Sequence, residues 1–143
     1  MAGRTAVLID TGPLVASLSR GDQHHAWAAE QMGLLRGPLL TCEAVLSETS
    51  FLLTRSGLDP SLPVAAVERG ALEIRPVVAA HAGRIAALMR KYADVPMSLA
   101  DAALVVLAEL EPGSTVFTAD SDFHVYRRNE RDAIPLLFPG RAS

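Results

Sequence analysis

Asp10, Glu48, Asp101 and Asp120 are four widely separated carboxylates whose sequence surroundings draw them toward one interior. Asp10 and Asp120 each follow an apolar, β-rich run, Val-Leu-Ile-Asp in one case and Val-Phe-Thr-Ala-Asp in the other. Such a position is the carboxyl end of a buried strand, where open parallel sheets bind their ligands. Asp is also a good turn former and helix N-cap, so either residue alone has a purely structural explanation. At ~100° per residue on a helix, Glu48 falls between Phe51 and Leu52 in an apolar sector with Ala44, Val45 and Leu46. Glu43, Ser47, Ser50 and Thr54 take the other side. A core-facing carboxylate needs a partner cation, for which Arg55 is the candidate, or a function. Asp101 lies in the first turn of Leu99-Ala-Asp-Ala-Ala-Leu-Val-Val-Leu-Ala, apolar on every side until Glu109, and Ser98-Leu-Ala-Asp101 also fits a capping box.

Each structural explanation works singly; placed together they compete with a common one. Two carboxylates brought to ~4 Å repel by about 4 kcal/mol at an effective dielectric near 20. Either some stay protonated with raised pKa values, or a hard divalent cation occupies the cluster. An all-oxygen donor set suits Mg²⁺ or Mn²⁺ rather than Zn²⁺. Carboxylates holding such an ion point to phosphoryl or phosphodiester hydrolysis, with a metal-activated water as nucleophile.

The elements that must position these residues can be read from periodicity. Short apolar runs predict strands at Thr5 to Ile9, Leu39 to Thr41, Leu72 to Val77, Thr115 to Thr118 and Ile134 to Phe138. Between them fall helical patterns: one through Ala26, Ala29 and Met32, one ending near Arg55, one at Leu62 to Arg69, one at Ala79 to Tyr92 and one at Ser98 to Leu110. Strands alternating with helices imply crossover connections and a mainly parallel sheet covered on both faces, an α/β class. Residues 1–143 are expected to form one domain burying roughly two-thirds of the surface that the unfolded chain exposes. Trp27 and Phe51 are expected in the core.

Other classes lose support. No apolar run approaches the ~20 residues that span a bilayer, and the amino-terminal apolar stretch is too short for a signal peptide, so a cytoplasmic location is expected. The single Cys42 forms no internal disulfide and lacks a catalytic-thiolate context. His24, His25, His81 and His124 lack zinc-ligand spacing and are assigned surface or packing roles. Ser17 and Ser47 have no nucleophile-elbow pattern. The net charge of −3, with Lys91 the single lysine, argues mildly against nucleic acid. A bound cation and the local group Arg127, Arg128 and Arg131 offset it, the arginines being either a solvated face or a contact for RNA phosphate or a protein partner. A receiver-like signalling domain would need a lysine after a late strand, where Lys91 does not lie.

Taken in order, four segments resemble those of the PIN-domain ribonucleases, and within them the VapC toxins of toxin–antitoxin pairs. They are Val7-Leu-Ile-Asp-Thr-Gly-Pro-Leu-Val-Ala, Val45-Leu-Ser-Glu48 with Phe51-Leu-Leu, Met97-Ser-Leu-Ala-Asp101-Ala, and Val116-Phe-Thr-Ala-Asp120-Ser-Asp122-Phe. The resemblance runs nearly end to end. It implies a PIN-like three-layer α/β/α sandwich with a mainly parallel central sheet of about five short strands. It implies Asp10 and Asp101 as the main metal ligands, with Glu48 and Asp120 completing the acidic pocket and positioning the water. Asp122 assists or substitutes for Asp120, and Thr118 supports the pocket by hydrogen bonds. Ser98 departs from the family, where that position is commonly acidic. The resemblance further implies Mg²⁺- or Mn²⁺-dependent cleavage of RNA, often tRNA or rRNA, a cognate VapB-like antitoxin and a homodimer. A PIN fold kept as a binding module without turnover is the alternative. The chain has no RNA-binding aromatic motif, so specificity rests on RNA shape and a few side chains.

Overall fold

In the computed structural model, which describes residues 5–140, the chain forms one five-stranded parallel sheet, a small hairpin and six helices. In chain order these are β1 (Val7–Ile9), α1 (Thr11–Leu18), α2 (His25–Leu34), β2 (Leu39–Thr41), α3 (Glu43–Arg55), α4 (Leu62–Glu68), β3 (Glu73–Ile74), α5 (Ala82–Lys91), α6 (Leu99–Leu110) and β4 (Thr115–Phe117). A 3₁₀ turn at Ser121–His124 precedes β5 (Arg127–Arg128), β6 (Asp132–Ala133) and β7 (Leu136–Leu137). The sheet order is β3-β2-β1-β4-β7, giving the three-layer α/β/α arrangement. β1 sits at the centre: Leu8 pairs with Leu40 of β2 and with Val116 of β4. Leu8, Ile9, Val116 and Phe117 are wholly buried, as a parallel sheet covered on both faces requires. Chain direction across the sheet reverses in sequence order between β1 and β4, which makes their carboxyl ends the crevice of the fold.

α6 is the buried helix. Ala100 through Ala108 are all inside, and the helix packs against α3, α5 and β1. Its single acidic residue before Glu109 is Asp101, one turn in. Ser98 caps it by accepting the Asp101 N–H at 3.0 Å, so the capping explanation of this motif holds for the backbone while leaving the carboxylate to other partners.

Element bounds differ from expectation chiefly at the edges. Only Glu73–Ile74 of the expected third strand pair, as a two-residue edge of the sheet. α5 starts at Ala82, after His81, rather than at Ala79. The β5–β6 hairpin had no counterpart in the sequence reading: Arg127 pairs with Ala133 and Arg128 with Asp132. Its turn places two consecutive non-glycine residues at positive φ, Asn129 at 52° and Glu130 at 71°. Such a turn suits the strand twist but is strained for residues with a Cβ.

Glu109 braces that turn from α6. It accepts the Asn129 N–H at 2.8 Å and takes Arg84 of α5 in a two-pronged pair, with Nη2–Oε2 at 2.8 Å and Nε–Oε1 at 3.2 Å. Glu109→Ala should therefore cost about 2 kcal/mol of stability, because it leaves a turn N–H unpaired and strips the Arg84 guanidinium of its two-pronged partner, with only the exposed Glu130 at 3.2 Å remaining. Denaturant unfolding measures that cost, and a loss below about 0.5 kcal/mol, the usual size of a surface substitution, would contradict it.

Candidate metal centre

Asp10 follows β1 directly and serves as N-cap of α1, so one residue both ends the strand and opens the helix. Its Oδ1 accepts the Thr11 N–H at 2.8 Å and its Oδ2 accepts the Thr118 hydroxyl at 2.7 Å. Thr118, one residue past β4, uses the same oxygen to accept the Asp120 N–H at 3.0 Å. The hydroxyl is thereby used as donor and acceptor at once. Asp120 caps the 3₁₀ turn, its Oδ1 accepting the Asp122 N–H at 2.9 Å. Asp101 comes in from α6, and its Oδ2 accepts the Tyr126 hydroxyl at 2.8 Å.

The result is a convergence of three chain segments. Asp10, Asp101 and Asp120 each present a carboxylate oxygen, and these oxygens lie within 4.8 Å of one another. Asp10 is only 5 % exposed and Asp101 9 %. Burial pushes Asp10 up to about 7; the Thr118 and Thr11 hydrogen bonds pull it down, and the charges of Asp101 and Asp120 push it further up. Burial likewise raises Asp101 to about 6, opposed by the Tyr126 and Ser98 hydrogen bonds and assisted by the charges of Asp120 and Glu48. Asp122 is raised by desolvation and then by Asp120 beside it. Clustered carboxylates pushed toward protonation by desolvation and by one another are the electrostatic signature of a cation site. Three oxygens at this spacing, with no sulfur or imidazole in the set, fit a small hard divalent ion completed by water.

Glu48 stands apart from this triad. It was expected on the core-facing side of its helix, but α3 turns Val45, Thr49 and Leu53 inward and leaves Glu48 exposed. Phe51, expected in the core, is 58 % exposed. Apolar residues on α3 span more of its circumference than the core covers, and the buried stripe at four-residue spacing was not separable from them by composition. Arg55 lies over the Phe51 ring at 5.8 Å, and no ion pair joins it to Glu48 among the described residues. Glu48 instead accepts the Thr11 hydroxyl at 2.6 Å, which ties the exposed carboxylate to the residue following Asp10.

All five acidic residues, Asp10, Glu48, Asp101, Asp120 and Asp122, line one open cleft of about 510 Å³. Gln23 and His24, just before α2, line it as well, whereas no lysine or arginine does. The histidine had been assigned to surface or packing, and only the fold brings it beside the acids. Arg127, Arg128 and Arg131 lie outside the cleft lining. Arg127 spends its guanidinium on the carbonyls of His124, Val125 and Tyr126, and Arg131 is exposed at the hairpin turn. Tyr126 and Thr11 are the site contacts that sequence reading did not find.

Comparison with known proteins bears on this arrangement. The family model for the PIN domain matches residues 7–129. The chain is 33% identical to ribonuclease VapC26 of Mycobacterium tuberculosis over 116 residues, which covers 80% of this chain and 86% of the relative. Its fold is similar to the crystal structure of Mycobacterium tuberculosis VapC20, described as a sarcin-ricin loop cleaving toxin. The TM-score is 0.75 at 21% identity, covering 83% of this chain and 93% of the other.

Proposed function

Because this chain belongs to the PIN-domain family and to its VapC branch, we propose that it is a divalent-metal-dependent endoribonuclease, the toxin of a toxin–antitoxin pair. The observation that carries the reading is the triad Asp10, Asp101 and Asp120, brought within 4.8 Å from three segments at the carboxyl ends of β1 and β4. Asp10, Asp101 and Asp120 would hold Mg²⁺ or Mn²⁺, with Glu48 lining the same cleft. A divalent ion held there supplies Lewis acidity toward a phosphate oxygen and lowers the pKa of water.

The chain's own residues set the rest. Thr118 and the Thr11 N–H hold both oxygens of Asp10, so the most buried ligand cannot turn away. Glu48, exposed and anchored through the Thr11 hydroxyl, orients the attacking water, and Asp122 assists Asp120 through the turn they share. No lysine or arginine lines the cleft, so the positive charge that an RNA phosphate would meet there would come from the cation that the carboxylates would hold.

Purified protein incubated with total RNA should cut it in Mg²⁺ or Mn²⁺ and stop in EDTA. Undiminished cleavage in EDTA, or none with either metal, would sink the proposal. The wider proposal extends the family resemblance: a cytoplasmic homodimer silenced by a VapB-like antitoxin and acting on tRNA or rRNA. Growth arrest on induced expression, relieved by the neighbouring reading frame, tests the toxin role, and light scattering at twice 15.2 kDa tests the dimer. No helix among the described residues is long and apolar enough to cross a membrane.

A further inference from the structure

Tyr126 is a fully buried residue next to the acidic cluster that the proposed chemistry does not use. Its ring is clamped edge-on by Tyr92 and Phe123, with centroids 5.1 Å away in both cases. Its backbone N–H reaches the Asp122 carbonyl at 3.2 Å, so the tyrosine belongs to the same turn that delivers Asp120. The hydroxyl then crosses to α6 and donates to Asp101 Oδ2 at 2.8 Å. The turn that carries Asp120 is thereby joined through one residue to Asp101 on α6. The contacts from Asp10 through Thr118, Asp120, Asp122 and Tyr126 to Asp101 form a continuous hydrogen-bonded arc around the triad.

Resting on the metal-site reading above, we infer that Tyr126 is the positioning residue for Asp101: its hydroxyl fixes the carboxylate on α6 at the spacing a cation needs to Asp120. A carboxylate on a helix rotates about its side-chain torsions unless something holds it. A donor already in place removes that freedom before the ion arrives, which is how groups behind metal ligands raise affinity. The ring cannot drift, because Tyr92 and Phe123 hold it on two sides. Tyr92 makes a good internal reference: it shares the aromatic cluster, but its hydroxyl accepts the Arg127 N–H at 3.1 Å.

Mn²⁺ binding to the metal-free protein, read from the electron paramagnetic resonance of the free ion, tests this. Tyr126→Phe keeps the ring and should weaken Mn²⁺ binding by about tenfold or more, while Tyr92→Phe should leave it unchanged. Raising Mn²⁺ should then restore RNA cleavage to Tyr126→Phe. Equal Mn²⁺ affinity in wild type and Tyr126→Phe overturns the role of Tyr126 alone. An equal loss in Tyr92→Phe makes the effect one of packing and overturns it too. Failure of wild type to bind Mn²⁺ overturns the metal-site reading itself, and this inference with it.

A second measurement leaves Tyr126 in place. The chain has two tyrosines, so Tyr92→Phe carrying 3-fluorotyrosine has one ¹⁹F resonance, from Tyr126. Saturating Mg²⁺ should move that resonance as the charge on its acceptor becomes shared with the ion; no movement overturns the proposal.

Discussion

Asp10→Asn is expected to lower RNA cleavage by about three orders of magnitude, a loss of ~4 kcal/mol in transition-state stabilisation. The size follows from its position. Asp10 is the most buried of the clustered acids, and both its oxygens are already oriented by the Thr11 N–H and the Thr118 hydroxyl. Asparagine keeps the volume but loses the charge and one acceptor, so either the Thr11 N–H or the Thr118 hydroxyl is left without its carboxylate oxygen. Asp101→Asn should behave similarly, since the same cation would lose a second ligand. Single-turnover cleavage of a labelled RNA in saturating Mg²⁺ or Mn²⁺ gives the comparison. A rate within about tenfold of wild type would show that Asp10 is a structural cap rather than a ligand.

The opposite sign is expected for stability. In the metal-free protein Asp10 has a folded-state value near 7 and Asp101 near 6, against an ordinary 3.8. A raised folded value means that the fold favours the protonated form. The contribution is complete below about pH 4 and disappears as pH climbs through 6 and 7. Ionising Asp10 then costs on the order of 4 kcal/mol and Asp101 about 3 kcal/mol, and the two overlap because Asp101's charge is part of what raises Asp10. Glu109 works the other way. Burial alone would raise it, but Arg84's hydrogen bonds and charge and the Asn129 N–H bring it below its usual value. Its contribution is present above the ordinary glutamate value and is lost in acid.

Melting temperature in EDTA should therefore be highest near about pH 4, fall as pH rises to about 7, and change little beyond that. Mn²⁺ should recover much more stability at the higher pH than at the lower, and Asp10→Asn should melt higher than wild type at pH 8 without metal. Thermal melts across this range with EDTA or Mn²⁺ measure it. A flat or rising profile in EDTA would show that the carboxylates carry no such strain.

The acidic residues were legible in the sequence because each marks a local event. Asp10 ends a strand, Asp101 sits in a capped helix turn and Asp120 opens a turn, and apolar runs of the right length surround them all. Parallel strand order was readable for the same reason, from crossover lengths. Tyr126 was not legible, because its meaning lies in a contact with Asp101, 25 residues away in sequence. Thr11 reaches Glu48 across 37 residues, and nothing in Asp-Thr-Gly-Pro announces that partner. Glu48 itself was misplaced for a packing reason: α3 has more apolar surface than the core covers, so Phe51 faces outward and Leu52 is only partly buried. The β5–β6 hairpin was hidden because Arg-Arg and Asp-Ala carry no alternation and its turn lacks glycine. It persists because Glu109 and Arg84 support it from other elements.

The central pairing of β1 with β4 also orders events in time. Val7–Ile9 leaves the ribosome early, yet its neighbour Thr115–Phe117 lies more than a hundred residues downstream. Until that strand emerges, Asp10 has neither Thr118 nor Asp120 beside it, and Asp101 waits still longer for Tyr126. A nascent chain that ends before Tyr126 thus holds scattered acids and no assembled centre. Pairing over such a separation is slow to nucleate. If the chain cuts RNA as proposed, this topology keeps its centre from assembling until nearly all of it has been made.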